Sequence, residues 1–423
     1  MRKHYILIFA LALLATACSS STSGSTTSSS TTSLVVTTTS TSPPTTTVMA
    51  PPLAANSLEI WVPGVLVSQI RATAAAFEID TGIGVDITAV EMDSLLDQLV
   101  ADPAAGPDAF IGPHSWLAVL TDAGIAEQLA AGSEVVAGAL DAVTLRETVF
   151  GAPLALDTIV QFRNTDSLSS APSTIESFAE GCPDGEELGS CLLLPVDSVS
   201  GHYPFITGTG GYIFGVDEFE GWDAQDVGVD SAEALAGGLI LQALVDGAGI
   251  LGDGNSTVAE RFVAGDAPLL WGDSTTLAAL AAAGAKFTVE RLPTIAEVSA
   301  PTPIEVVVAW VNAFAPGKEA SVIFVRDYLA APSSADAIAV TLGLAPVNVG
   351  FDTDPNLVPF IETARTGDPV PTIFQTEYAW EQLAVAFSDI RDGDDASEAL
   401  GDAAVAIRNA PIGPAIPEEE GDA

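Results

Sequence analysis

Positive charge is scarce in this chain: 13 Lys and Arg stand against 56 Asp and Glu, a formal net charge of -43. Phosphate binding is carried by clustered cations, so the deficit argues against a nucleic-acid surface and against an anionic-membrane surface. The acidity itself reads as a solubility feature. Histidine is almost as rare, at three residues, and only His114 and His202 lie beyond the N-terminal segment. Neither has an obvious Ser or Cys nucleophile setting, and the sequence has no G-x-S-x-G elbow. Cysteine also numbers three. Cys182 and Cys191 bracket a Gly-, Pro- and Asp-containing loop, CPDGEELGSC, and most simply form a local disulfide in an exported protein. Two thiols with no His nearby do not fill a zinc shell, so no metal is expected. Nothing calls for a cofactor. Internal repeats are absent, which argues against an adhesion or structural array.

What is present begins with MRKHYILIFALALLATACSS. Arg2, Lys3 and His4 make a positive n-region, Tyr5 to Ala15 an apolar h-region too short to span a bilayer, and Ala17 with Cys18 a small-residue cleavage site. The protein is expected to be exported. Small residues followed by Cys resemble the bacterial lipoprotein signal, in which the thiol is acylated, so residues 1–18 read as a lipoprotein signal and Cys18 as the lipidated residue. The anchor would hold the chain on the outer face of the cell membrane. Residues 19–52 are nearly all Ser and Thr and cannot bury enough apolar surface to offset their ordering entropy. They read as a flexible tether with an end-to-end distance of roughly 30 Å. The segment 411–423, ending EEEGDA, reads as an acidic disordered tail.

Between these ends lie about 370 residues rich in Ala, Val, Leu and Gly, more than one core usually accommodates, so two domains are expected. Ser57–Val62 alternates like a strand; Leu66, Ile70, Ala74 and Phe77 fall at helical spacing before Gly82; Gly84–Val90 reads as a second strand. That unit is a right-handed crossover and implies a parallel sheet. Further strands are expected at Asp108–Ile111, Leu192–Val196, Pro268–Trp271 and Ile304–Val311. Helices are expected at Leu95–Leu99, Leu117–Leu129 with a break at Gly124, Ala232–Gly247, Thr276–Ala283, Glu319–Leu329, after a Ser333 cap with Asp336 three residues on, and at Glu377–Ile390. The class is α/β.

Ten segments carry a family likeness that periodicity does not supply. They include IWVPG, FEIDTGIGVDI, GPDAFIGPHSW, AGIAEQL, FGAPLALDTIVQFRNTDSL, GGYIF, DVGVDSAEALAGGLILQALVDG, VNAFAPGKEASVIFVRDYL and PVPTIFQTEYAW. Their order and spacing resemble the maltose/maltodextrin-binding proteins of ABC importers, from Leu58 to about Arg408. The resemblance implies a type II, maltose-binding-like, two-lobed periplasmic-binding-protein fold with three hinge crossings and a ligand cleft between the lobes. It puts the crossings near Ala155–Thr158, Val306–Val311 and Val349–Phe351. The N-terminal lobe would comprise 53–156 and 310–350, the C-terminal lobe 157–309 and 351–410. The implied function is solute capture for an ABC permease by a monomer that makes and breaks no bond, the solute being a maltodextrin or another oligosaccharide.

Sugars present apolar C–H faces and rims of hydroxyls, so their sites need flat aromatic faces with fixed polar groups. By resemblance, Trp380 aligns with an aromatic that stacks on glucose, and Glu381 beside it replaces a Tyr. Asp157 falls where the family has a Glu that bonds a sugar hydroxyl, and Tyr203 matches a Trp of the second lobe. Trp271 and Asp273 occupy the family's Asn-Gly-Pro-Trp loop, with Trp271 either a shifted stacking face or a buried strand residue. His114, Ser115 and Trp116 replace His-Asp-Arg, removing a charge pair while adding an aromatic. Val65 and Leu66 stand in place of an Asp and a Lys, and Ala384 in place of an Arg. Several grips on a maltodextrin are therefore missing, which leaves a non-malto sugar or a polyol as the alternative solute. Trp61, Trp222 and Trp310 read as structural. A lipid-anchored hydrolase using Asp157 and Glu381 is the rival from another class; release of product from maltodextrin would identify it.

Overall fold

The alternation in Ser57–Pro63 resolves cleanly by face: Leu58, Ile60 and Val62 are fully buried in one direction while Trp61 turns the other way. A computed structural model describes residues 57–130, 134–180, 191–195, 198–217, 221–248, 255–352 and 354–410. Cys18, the tether, Cys182 and the acidic tail lie outside the described residues; Cys191 is disulfide-bonded. Among the described residues no helix is long and apolar enough to cross a membrane.

Ser57–Pro63 pairs in parallel with Gly84–Val90, and helix Val67–Thr81 connects them, ended by Gly82 at φ 75°. A left-handed residue without a Cβ closes a helix at low cost, which is why the sequence breaks there. This crossover is the edge of a seven-stranded mixed sheet. Its main order runs Ala345–Pro346, Gly151–Asp157, Pro303–Val311, Ala109–Pro113, Ser57–Pro63 and Gly84–Val90, with Asp368–Pro369 beside the start of Pro303–Val311. A second, four-stranded sheet runs Phe287–Glu290, Val160–Asn164, Leu269–Gly272 and Leu192–Leu193.

Three apolar clusters cover these sheets. Ile70, Phe77, Phe324 and Ile338 pack on one face of the large sheet. Phe205, Leu383, Phe387 and Leu400 pack on one face of the small sheet. The third cluster is shared: Phe110, Leu156 and Trp310 of the large sheet join Val160, Phe162 and Leu270 of the small one, with Phe262 and Phe360 from helices Asn255–Ala264 and Val358–Ala364. The chain leaves the large sheet after Asp157 and enters the small one at Val160, then leaves the small sheet after Glu290 and re-enters the large one at Pro303. Buried Thr158 and Thr302 sit in those two passages, their hydroxyls 2.7 Å apart, and Thr158 also donates to the Pro303 carbonyl at 2.9 Å.

Several sequence expectations shift. Leu117–Leu129 is a helix only over Leu117–Asp122; Gly124 adopts φ 66°, and Leu129 lies outside the helix, its N–H bonded to the Val149 carbonyl. Ser333 does not cap its helix, because Pro332 takes the first helical position and Ala331 the cap. Asp336 instead accepts from Asn348 at 2.6 Å. Strand Leu192–Val196 shortens to Leu192–Leu193, and Val196 lies outside the described residues. Residues 306–311 lie inside one continuous strand, paired with both Ala109–Pro113 and Gly151–Asp157. Helices Val199–Thr207, Asn255–Ala264 and Ala396–Arg408 have no counterpart in the periodicity reading.

Candidate functional site

Asp157 ends the strand Gly151–Asp157, at the first passage between the sheets. Its Oδ1 accepts from the Thr158 N–H at 2.9 Å and the Ser274 N–H at 3.1 Å, and its Oδ2 accepts from Ser274 Oγ at 2.6 Å. Ser274 opens helix Ser274–Ala282, whose N-cap is Asp273; Asp273 Oδ1 accepts from Thr276 N–H, Thr275 Oγ1 and Thr276 Oγ1. A helix start favours negative charge, so both carboxylates are placed by the same local structure. Glu305 stands directly opposite Asp157 in the antiparallel register of Pro303–Val311 and Gly151–Asp157. Asp157, Thr158, Ser198, Ser200, Asp273 and Glu305 line a cavity of about 80 Å³.

Burial pushes the Asp157 carboxyl up to about 7; the Ser274 hydroxyl opposes the shift, and the nearby Asp273 charge adds to it. Glu305 is raised too, first by desolvation in the cavity and then by Asp273. None of the residues lining this cavity is a cation. A larger cavity, of about 410 Å³, lies by the other end of the same strand among Leu129, Leu140, Val149, Pro153 and Val349. Its walls are mostly apolar, and Arg326 at its edge is already bonded to Asp327. It lacks the converging polar groups of a sugar site.

Tyr203 and Trp380 come together, ring centres 6.3 Å apart and tilted by 41°. Tyr203 sits on helix Val199–Thr207, buried, and donates to Asp368 Oδ2 at 3.3 Å. Burial and the neighbouring Asp368 charge hold its phenol well above its ordinary range, so it stays a neutral donor. Trp380, on helix Gln375–Asp392, is half-buried, and Glu381 next to it is exposed. Asp368 pairs with Pro303, which also lines the small cavity, so this aromatic pair adjoins the carboxylate group through one strand pairing.

The remaining candidates separate from that group. Trp271 is fully buried, stacked on Phe205 at 5.6 Å, with its indole N–H donated to Gln161 Oε1 at 3.1 Å. Both ring and donor are spent inside the small sheet, so Trp271 is a packing residue and offers no stacking face. His114 is buried as well: the Val306 N–H donates to Nδ1 at 3.2 Å, which places the proton on Nε2, facing the Val370 carbonyl at 3.0 Å. Desolvation lowers its pKa to about 4, so the ring is neutral and ties three chain segments together. Trp116 is half-buried near Phe110 and lies over Gly112, where a Cβ would stand 2.2 Å from the ring. Of the rings read as structural, Trp310 is fully buried, Trp61 donates to Glu59 at 2.8 Å, and Trp222 is half-buried.

Glu305 and Ser198 escaped the sequence reading. A signal for Glu305 existed: it is the single charged residue in the apolar run PIEVVVAWV.

The arrangement of two sheets crossed by the same chain has counterparts among solved structures. A cyclo/maltodextrin-binding protein complexed with maltotetraose superposes with a TM-score of 0.76 at 20% identity, covering 84% of this chain and 97% of that one. An extracellular solute-binding protein from Staphylococcus aureus in complex with maltose gives 0.76 at 21% identity, covering 83% and 96%. The fold is therefore the two-lobed periplasmic-binding fold. The family profile of bacterial extracellular solute-binding proteins matches residues 72–359, and the chain belongs to that family. Among curated relatives, the galactooligosaccharide-binding protein of Bacillus subtilis (strain 168) is 26% identical over 254 residues, 56% of this chain and 60% of that protein. A maltooligosaccharide ABC transporter solute-binding lipoprotein of Streptococcus pneumoniae (strain ATCC BAA-255 / R6) is 26% identical over 194 residues, 43% of this chain and 45% of that protein. The chain thus aligns with 60% or less of the length of these two relatives.

Proposed function

We propose that this chain is the capturing component of an ABC importer, holding an oligosaccharide between two lobes and presenting it to a membrane permease. The observation that carries the reading is the cavity at the passage between the sheets, where Asp157 and Glu305 of the large sheet meet Asp273 and Ser198 beside the small one. A ligand touching both sides favours the closed arrangement, and a permease can tell closed from open. In this reading the two lobes are built on the large and the small sheet; Pro303–Val311 pairs along its length with strands of the large sheet, and Asp368–Pro369 lies beside its start. Tyr203, Trp380 and Glu381 supply the aromatic side of the site and its rim. Recognition without bond cleavage accounts for these groups. Cys18 carries the lipid and residues 19–52 the tether; mass analysis of the membrane fraction should find Cys18 acylated, whereas a free soluble N-terminus contradicts the anchor.

The function is tested by the thermal midpoint of the full-length chain, purified in detergent, against maltose, longer maltodextrins, galactooligosaccharides, trehalose and polyols. A solute that binds only the folded state raises the midpoint in proportion to RT ln(1 + [L]/Kd). A rise with any oligosaccharide supports capture, and no rise across the panel refutes the oligosaccharide reading.

A further inference from the structure

A further cavity, of about 220 Å³, shares no lining residue with the one at Asp157 and does not depend on what that one captures. Its walls come from three places. Asp141 ends helix Ala137–Asp141, which lies against Gly151–Asp157 and Pro303–Val311 of the large sheet. Trp222 and Val216 stand opposite each other in the antiparallel pair Phe214–Val216 and Trp222–Val227, and Trp222 packs against the small-sheet cluster. Thr372 follows the short strand Asp368–Pro369 that runs beside Pro303–Val311.

The turn at its rim is an anomaly. Arg146 and Glu147 join strands Thr144–Leu145 and Thr148–Val149 with φ of 51° and 62°. A two-residue hairpin turn of this hand favours Asn-Gly, because L side chains seldom adopt the left-handed region. Here two long charged side chains are held in it, and both line the cavity. Backbone strain of this kind concentrates where ligands are clamped. Arg146 is unusual a second time: in a chain with 13 Lys and Arg against 56 Asp and Glu, it has no hydrogen bond or ion pair among the described residues. The indole N–H of half-buried Trp222 has no partner among them either.

These groups both donate and accept. Arg146, the Trp222 N–H and the Thr372 hydroxyl can donate; the carboxylates of Asp141 and Glu147 accept, as does Thr144 Oγ1, whose own proton goes to the Leu140 carbonyl at 2.7 Å. With the Trp222 ring as a flat face, this is the mixed set that a rim of sugar hydroxyls requires. An anion would meet two carboxylates for one guanidinium, and a cation would meet the guanidinium itself. The volume falls below the roughly 300–1,000 Å³ of pockets for larger ligands, so it suits one ring rather than a chain. We propose that this cavity is a second ligand site, for a single neutral hexose, with Trp222 against the ring face and Arg146 on its hydroxyls.

Calorimetric titration of the full-length chain in detergent with D-glucose, D-galactose and D-mannose tests this. At least one should bind with a Kd of about 10 mM or tighter. Arg146→Gly should weaken that hexose on the order of tenfold through loss of a charged donor, while the thermal midpoint holds or rises, because glycine suits the left-handed position. Trp222→Ala should weaken it similarly, and Trp222→Phe should keep part of the affinity. Binding of none of the three hexoses overturns the site. So does a hexose whose affinity is unchanged in both Arg146→Gly and Trp222→Ala, and so does weakening by Trp380→Ala alone, which would put the hexose with the other aromatic pair. A midpoint rise with an oligosaccharide should survive Arg146→Gly; its loss would mean that the two cavities act as one site. If no oligosaccharide raises the midpoint, the capture reading fails while the hexose result stands on its own.

Discussion

Asp157→Asn should stabilise the protein, and by an amount that depends on pH. The amide keeps one oxygen to accept from the Thr158 and Ser274 N–H groups, and its NH2 can donate to Ser274 Oγ, which then acts as acceptor. What the substitution removes is the cost of ionising a buried carboxyl beside Asp273. An aspartate carboxyl titrates near about 3.9 in an unfolded chain. In the fold it is pushed up to about 7. The folded state therefore holds this proton more tightly than the unfolded one. The stability linked to that proton is fully present below pH about 4 and is lost as pH rises through about 7. Roughly three pH units at 1.36 kcal/mol each amount to about 4 kcal/mol, on the order of the largest single-site effects expected in a domain. Guanidinium unfolding at pH 5, 6, 7 and 8, with equal slopes for both proteins, measures the difference. The gap in favour of the Asn variant should widen with pH up to about 8 and then stay level. A gap that is constant across the range, or that closes with rising pH, refutes the burial argument. The same variant should bind ligand less well, because it replaces a carboxylate acceptor lining the cavity with a neutral amide, a weaker acceptor for ligand hydroxyls.

Trp380→Ala should weaken oligosaccharide binding more than tenfold while the fold survives, because the ring is half-buried and a stacked aromatic contributes both area and geometry; unchanged affinity would end its assigned role. Trp271→Ala should do the reverse, costing about 3–5 kcal/mol in denaturant unfolding through the cavity it leaves against Phe205. Loss of affinity without loss of stability would contradict its placement. Thiol titration of the unfolded, unreduced exported chain should find Cys182 and Cys191 unreactive, and two free thiols would contradict a bond between them. His114→Gln should destabilise by about 1–3 kcal/mol, since the Val306 N–H and the Val370 carbonyl lose a partner held at both ends; a neutral effect would show that the ring does not tie these segments.

The first crossover was legible because Leu58, Ile60 and Val62 alternate and Gly82 stops the helix, both local signals. Helix Gln375–Asp392, which carries Trp380, was legible from its apolar spacing for the same reason. Helix Val199–Thr207 was hidden by Gly201 and Pro204, which local propensity counts as breakers while burial of Tyr203, Phe205 and Ile206 holds the helix together. At the site, Asp157 and Asp273 stand at an element's end, where sequence and family likeness can point. Glu305 joins them only through the register of strands far apart in the chain, which no local pattern encodes. The family likeness points His114 and Trp271 toward the cleft, but what buries them is tertiary: a backbone N–H from Val306 for one and the Phe205 ring for the other.

Small-angle X-ray scattering from the full-length chain in detergent, with and without a saturating oligosaccharide, tests capture between closing lobes most directly. Capture predicts a lower radius of gyration of the protein at unchanged mass. An unchanged scattering curve, under conditions where calorimetry reports saturation, would mean that the ligand binds without closing the lobes and would contradict the proposed mechanism.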